Sequence, residues 1–262
     1  MTGHKFPLAP QANDQALFNR IAGDYFKKDR LPSSSVARKF RLQQTVRFAG
    51  LQPHHKILEV GCGGGYSALY LKGNYARYLG IDYSDKIIEY AKRHHDLPNA
   101  SFRHLNAKDL ESAYNGFDMV LMIGVLHHLD DMETVLKKLR SHLKIGGIVV
   151  VNEPQPGNPF ITFLRRIRKK VDSSYSRDQR ELSTKELFEV FQKSGYANMR
   201  IQPQGFFSTP FAEVPLPPQW MSTPLSLLAC KIDCFLEMML PRSLFRLSWN
   251  LIFIGQSPGP GR

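Results

Sequence analysis

The chain has 262 residues, 42% of them hydrophobic, only three cysteines and a net charge of +12. That length and apolar content suit one large domain with a substantial core, and the sparse cysteines exclude a disulfide framework and point to a reducing compartment. No window holds the roughly 18 uncharged apolar residues that a span requires, and the N-terminus mixes charges early without an apolar stretch, so neither a membrane span nor a signal peptide is expected.

The distribution of charge matters more than its total. Residues 1–55 carry +6, residues 56–155 are neutral, and residues 156–180 carry +5. A neutral central region flanked by basic segments fits an anionic substrate or an anionic surface, or else plain solubility charge.

In chain order, Leu17, Ile21, Ala22 and Tyr25 fall at helical spacing over 15–27. A serine run then caps a helix over 35–49, with Val36, Phe40, Val46 and Phe48 apolar. Strands follow near 56–60, 78–82, 100–104, 118–124 and 147–151, alternating with helices near 65–72, 84–95 and 131–142. Met119 to Ile123 and Ile148 to Val151 are continuously apolar, as strands buried on both faces of a parallel sheet are. Ser183 and Glu186 form a capping box that opens a helix to about 194, and strands near 197–206 and 249–254 complete the sheet.

The first strand runs into Glu59-Val60-Gly61-Cys62-Gly63-Gly64-Gly65, a turn where main chain can approach a bulky ligand. Twenty-three residues after Glu59 the second strand ends on Asp82, where a doubly wound sheet grips ribose hydroxyls. Together they indicate an adenosine-containing cofactor. A dinucleotide fingerprint needs a third small residue where this chain has Tyr66, so the pyrophosphate turn fails.

Glu-x-Gly-x-Gly-x-Gly, with Gly61, Gly63 and Gly65, resembles motif I of the class I S-adenosylmethionine-dependent methyltransferases. Asp82-Tyr83-Ser84, Asn106-Ala107, Phe117 to Val120, Val125 to Leu129 and Leu143 to Gly147 follow in that family's order. The resemblance covers about 12–155 closely and 183–256 loosely, and is nearest to the type 11 group of quinone, lipid and natural-product enzymes. It implies an α/β, Rossmann-like fold: a seven-stranded, mostly parallel sheet with an antiparallel last strand, plus N-terminal helices and a helical, apolar C-terminal lid insertion. The corresponding regions are an N-terminal helical cap at 1–50, the cofactor core at 51–155, a basic amphipathic insertion at 156–182, and 183–262, which carries the lid at about 207–246.

The resemblance also implies S-adenosyl-L-methionine as cofactor and S-adenosyl-L-homocysteine as product. Glu59 would meet the amino group or the turn around the methionine half, Gly61, Cys62, Gly63 and Gly65 would form that turn, Asp82 would accept from the ribose, and Tyr83, Asn106 and Ala107 would meet the adenine. Asn106 departs from the acid usual there. Ile123 and Gly124 end the fourth strand at the ligand crevice, and Tyr25 sits where, by the resemblance, an N-terminal aromatic would cover the cofactor. If the acceptor must lose a proton, the candidate bases are His127, His128 and Glu153. No ligand spacing suggests a metal site.

Two segments exceed the minimal fold. Residues 160–171 place five basic residues around an apolar helical stripe, which reads either as an element contacting an anionic membrane surface or phosphate, or as a packed helix with a solvated face. Residues 225–240 are apolar over most of a helical surface and read as a lid over an apolar pocket or as covering core. The expected acceptor is a hydrophobic small molecule or lipid of quinone, polyprenyl-linked or natural-product type, methylated in the cytoplasm or at the membrane periphery. A nucleic-acid methyltransferase is the less favoured rival, since the chain has no appended RNA-binding module. A non-catalytic cofactor-binding protein is the second rival.

Overall fold

The computed structural model describes residues 29–156, 158, 161, 181–239 and 241–259, together with 19 and 26. Tyr25, almost all of the expected helix at 15–27 and all but Ile161 of the basic stretch at 160–171 lie outside the described residues.

Helix α1 spans Pro32–Ala49, earlier than the serine run suggests. Its N-cap is Leu31, and Pro32 occupies the first turn, where its fixed φ is pre-organised for a helix and its missing N–H costs nothing. The serines therefore do not cap: Ser33 and Ser34 are buried inside the first turn. Strand β1 (Lys56–Val60) is followed by a short helix α2 (Tyr66–Tyr70), β2 (Arg77–Asp82), α3 (Asp85–His94), β3 (Ala100–His104), β4 (Phe117–Ile123) and α4 (Met132–His142). Then come β5 (Leu143–Pro154), α5 (Thr184–Lys193), β6 (Ala197–Gln204), α6 (Thr209–Glu213), α7 (Gln219–Met239) and β7 (Asn250–Gln256).

The seven strands are ordered β3-β2-β1-β4-β5-β7-β6. β1 to β5 pair parallel, while β7 lies antiparallel to both β5 and β6, with Val150 opposite Ile254. The antiparallel strand is thus inserted beside the outermost strand β6 rather than forming the edge. The chain runs outward from β1 to β3 and returns to β4, so strand order reverses between β1 and β4. In open α/β sheets, ligands bind at that switch point.

Alternation along the strands divides the core into two layers. Leu58, Ile81, Val120, Met122, Val151 and Phe253 face one side, covered by Leu136 and Leu139 of α4 and Leu187 and Phe191 of α5. Ile57, Tyr78, Met119, Leu121, Val150 and Ile252 face the other, covered by Leu42 and Val46 of α1 and Ile88 and Ala91 of α3. Burying a large aliphatic or aromatic side chain contributes about 1.5–3 kcal/mol, so these layers supply the main driving force. Both hydrogen bonds of the Ser183–Glu186 capping box form, at 3.2 Å to the Glu186 N–H and 2.9 Å from the Ser183 N–H.

Helix α7 is oriented against its composition. Its buried positions are Ser222, Ser226, Ala229, Cys230, Asp233 and Glu237, and its large apolar residues point outward. The Asp233 carboxylate accepts from the N–H groups of Phe207 and Ser208, both at 2.8 Å, and Glu237 accepts from the Gly205 N–H at 2.9 Å. Small residues let α7 lie close to α1, where the Ser226 hydroxyl donates to the Ser33 carbonyl at 2.8 Å.

Candidate functional site

The site grows from the carboxyl ends of β1, β2 and β4. After Val60 the chain turns back on β2, with the N–H groups of Gly61 and Cys62 both donating to the Ile81 carbonyl, at 2.8 and 3.0 Å. Gly61 adopts φ +68°, and a Cβ there would sit 2.5 Å from Val125. Gly65 adopts φ +79°, and a Cβ would strike the Phe102 ring at 2.8 Å. Both glycines are demanded by handedness and by space.

The Asp82 side chain locks this turn. One carboxylate oxygen accepts from the Gly63 N–H at 3.1 Å and the other from the Ser84 N–H at 2.9 Å. Burial pushes its carboxyl up, and these backbone hydrogen bonds oppose the shift. Each oxygen keeps acceptor capacity for a ligand hydroxyl.

Beside Asp82 opens a cleft of about 790 Å³. Gly61, Gly63, Asp82, Tyr83, Asn106, Ala107, Ile123, Gly124 and His128 all line it. The sequence names every one of them as a site residue, from positions scattered over four loops. Ile87, Leu105 and Leu129 add apolar walls that sequence reasoning missed. Its mix of a carboxylate, glycine main chain and apolar walls fits the adenosine half of S-adenosylmethionine. Asn106 caps the short turn Ala107–Asp109, its side-chain oxygen accepting from the Lys108 N–H at 3.0 Å.

A second cleft, of about 560 Å³, shares Gly61, Gly63 and Ile123 with the first. Glu59 and Cys62 line it, along with Asp29, Arg38 and Tyr70, which the sequence reading did not single out. Arg38 pairs with Asp29 and donates to the Ala212 carbonyl at 2.9 Å, and Arg41 donates to Glu213 at 2.9 Å, so α1 ties this cleft to α6. The spacing of Arg38 and Arg41, one helical turn apart between apolar positions, is the only sequence signal for this wall.

Glu59 is buried beneath the second cleft. It accepts from the Ser67 hydroxyl at 2.8 Å and from the Tyr78 hydroxyl. Burial pushes its carboxyl up to about 7 despite these hydrogen bonds. Burial, with the Asp82 and Glu59 carboxylates nearby, pushes the Cys62 thiol well up, so it is no reactive thiolate at neutral pH. Gly65 lines neither cleft and serves the turn.

The three candidate bases part company. Glu153 is 0% exposed and lines neither cleft. One of its oxygens accepts from the N–H groups of Val125 and Leu126, at 3.0 and 2.8 Å, and the other contacts His127 Nδ1 at 2.6 Å. It anchors the turn after β4 to β5, and His127 is buried with it. This differs from the sequence expectation because neither group reaches the ligand space. His128 alone of the three faces the first cleft. Of the N-terminal aromatics, Phe26 is described: it stacks on Tyr90 with ring centroids 3.5 Å apart and lies against Gly64. Among the described residues, no group of three or more His, Cys, Asp or Glu side chains is arranged to hold a metal ion.

A family model described as a methyltransferase domain matches residues 58–149, the span from β1 to β5. The chain is 27% identical over 169 residues to a probable S-adenosylmethionine-dependent methyltransferase of Mycolicibacterium smegmatis, covering 60% of this chain and 58% of that protein. It thus spans under two thirds of that relative. It is 27% identical to a demethylmenaquinone methyltransferase of Lactococcus lactis over 214 residues, 73% of this chain and 84% of the relative. Among solved structures, an S-adenosylmethionine-dependent methyltransferase of Thermotoga maritima, described as a possible histamine N-methyltransferase, superposes with a TM-score of 0.65. That match has 19% identity and covers 93% of this chain and 99% of the other, a likeness of fold.

Proposed function

We propose that this chain, which belongs to the class I S-adenosylmethionine-dependent methyltransferases, transfers the cofactor's methyl group to a hydrophobic small molecule or lipid of quinone, polyprenyl-linked or natural-product type. The observation that carries the reading is the Asp82 carboxylate holding the Gly63 N–H at the floor of the 790 Å³ cleft. The sequence likeness to a demethylmenaquinone methyltransferase supports a quinone-like acceptor.

When bound, the cofactor supplies a sulfonium whose methyl group is already activated, so the protein's work is to bind, orient and exclude water. In this reading Asp82 accepts from the ribose hydroxyls. Asn106 spends its oxygen on the Lys108 cap, so its amide hydrogens are offered to an adenine ring nitrogen, a different solution from the acid usual at this place. Glu59 receives the cationic amino group, which favours the ionised carboxylate. The second cleft takes the methionine half and the reacting end of the acceptor. Glu153 and His127 act as positioning residues, fixing the Val125–His128 turn that walls the first cleft.

The test uses methyl-tritiated S-adenosylmethionine with a host-cell lysate, partitioned between chloroform and water. Asp82→Ala removes the ribose acceptor and the Gly63 tether. Charged hydrogen bonds contribute about 1.5–3 kcal/mol each, so its affinity for the cofactor should fall about a hundredfold or more by calorimetry. Label in the organic phase that vanishes in this variant supports the proposal. Label confined to water overturns the apolar acceptor, and nuclease-sensitive aqueous label reassigns the acceptor to RNA.

A further inference from the structure

Helix α7 presents a continuous apolar face to solvent. Met221, Leu225, Leu228, Ile232, Phe235 and Met239 repeat at spacings of four and three and are all exposed, Phe235 by 59%. Trp220, 79% exposed, widens the band at its N-terminal end, and Leu227 and Met238 widen it further. Monomeric soluble proteins rarely leave so large a contiguous apolar patch uncovered without a use for it.

Rotation of the helix offers no escape from this exposure. Asp233 and Glu237 are held inward by three backbone N–H groups of the 205–208 turn. Small residues on the same side permit the close approach to α1. The outward direction of the apolar face is therefore fixed by polar contacts on the opposite side.

We propose that this face of α7 lies in the headgroup region of an anionic lipid bilayer and docks the protein there. Charge on the helix selects the occupant. Both acids of α7 point inward, and the sole charged side chain on its exposed side is Lys231. That pattern complements an anionic leaflet, and the net charge of +12 adds long-range attraction. A second copy of the chain would instead set Lys231 against Lys231 on a helix face with no carboxylate to pair with it, between two molecules of the same net sign. The band also spans more of the helix than a two-stranded seam uses, is interrupted by Pro224, and lacks flanking charges of both signs. A helix lying in an interface needs a wide apolar face and tolerates each of these. Lys231 can snorkel toward headgroups, and Trp220 suits the membrane–water boundary. Among the described residues no helix is long and apolar enough to cross a membrane, so this contact is peripheral.

The test is flotation of the full chain with vesicles of phosphatidylcholine alone or mixed equally with phosphatidylglycerol. The variant carries Leu228→Glu and Phe235→Glu, two exposed positions, and cofactor affinity is measured in parallel. The docking surface is thereby judged apart from methyl transfer. We expect the natural chain to partition at least tenfold more strongly to anionic than to neutral vesicles. We expect the variant to lose at least tenfold in partition with cofactor affinity within twofold. Bromine-labelled lipid should partly quench the tryptophan fluorescence of the unsubstituted chain, through exposed Trp220 rather than half-buried Trp249, and a Trp220→Phe protein should lose that quenching. Absence of partition to either vesicle overturns the proposal, as does a variant that partitions like the natural chain, because the basic 160–171 segment would then suffice. A dimer that the variant dissolves would assign the face to a second copy and overturn it equally.

Discussion

The crevice at the carboxyl ends of β1, β2 and β4 and the flank formed by α1, α6 and α7 both bury carboxylates, with opposite consequences. In the crevice, Glu59 and Asp82 line the two clefts and brace a glycine turn. On the flank, Asp233 and Glu237 line neither cleft and cap a turn between β6 and α6, which forces apolar residues outward. Both Asp82 and Asp233 hold two backbone N–H groups, so the difference lies in the surroundings: the crevice acids stay beside an open cleft, while the flank acids line neither.

The sharpest break of this comparison is Asp233→Ala. It leaves the Phe207 and Ser208 N–H groups without their acceptor, so unfolding free energy should fall by about 3 kcal/mol in denaturant titration. Cofactor affinity of the folded fraction should stay the same, and a large loss of affinity would show that flank and crevice are not separable.

Glu237 gives the next effect. Burial pushes its carboxyl up to about 8, so the folded protein retains a proton that the unfolded chain releases near pH 4.5. Its contribution is most favourable below pH 4.5 and is lost as pH rises toward 8. Glu237→Gln should therefore remove on the order of 2 kcal/mol of the stability lost between pH 5 and 8, and identical pH profiles for the two proteins would refute this.

Glu59 gives the smallest effect, and it appears in binding. A carboxyl at about 7 is roughly 10% ionised at pH 6 and 90% at pH 8, so cofactor affinity should rise about tenfold over that range. Glu59→Gln should flatten the profile. A slope that survives the substitution would place the titrating group elsewhere.

Most of the crevice was legible from local signals. Continuous apolar runs mark β4 and β5, the glycine turn marks the end of β1, and Asp82 marks the end of β2. The Ser183–Glu186 box predicts the start of α5 because both partners lie within one turn. What escaped depends on distant partners. The serine run reads as a cap, yet Pro32 starts α1, Ser33 meets α7 through its backbone and Ser35 meets Tyr70. The apolar weight of α7 reads as an inward lid, because periodicity carries no information about a turn some 25 residues upstream that needs two carboxylates. Asp29 and Arg38 join the second cleft through a fold of the chain that spacing does not reveal. Glu153 and His127 sit near the crevice in sequence, and only the structure shows them behind its wall.

The two clefts have one partition between them, built from Gly61, Gly63 and Ile123. A side chain added at Gly61, or a bulkier one at position 123, narrows both openings at once. Redesign of one compartment independently of the other must therefore work from the outer walls: Leu105, Asn106 and Leu129 on one side, Asp29, Arg38 and Tyr70 on the other. The middle of the molecule is fixed by double duty, and its capacity for new specificity lies at the rims.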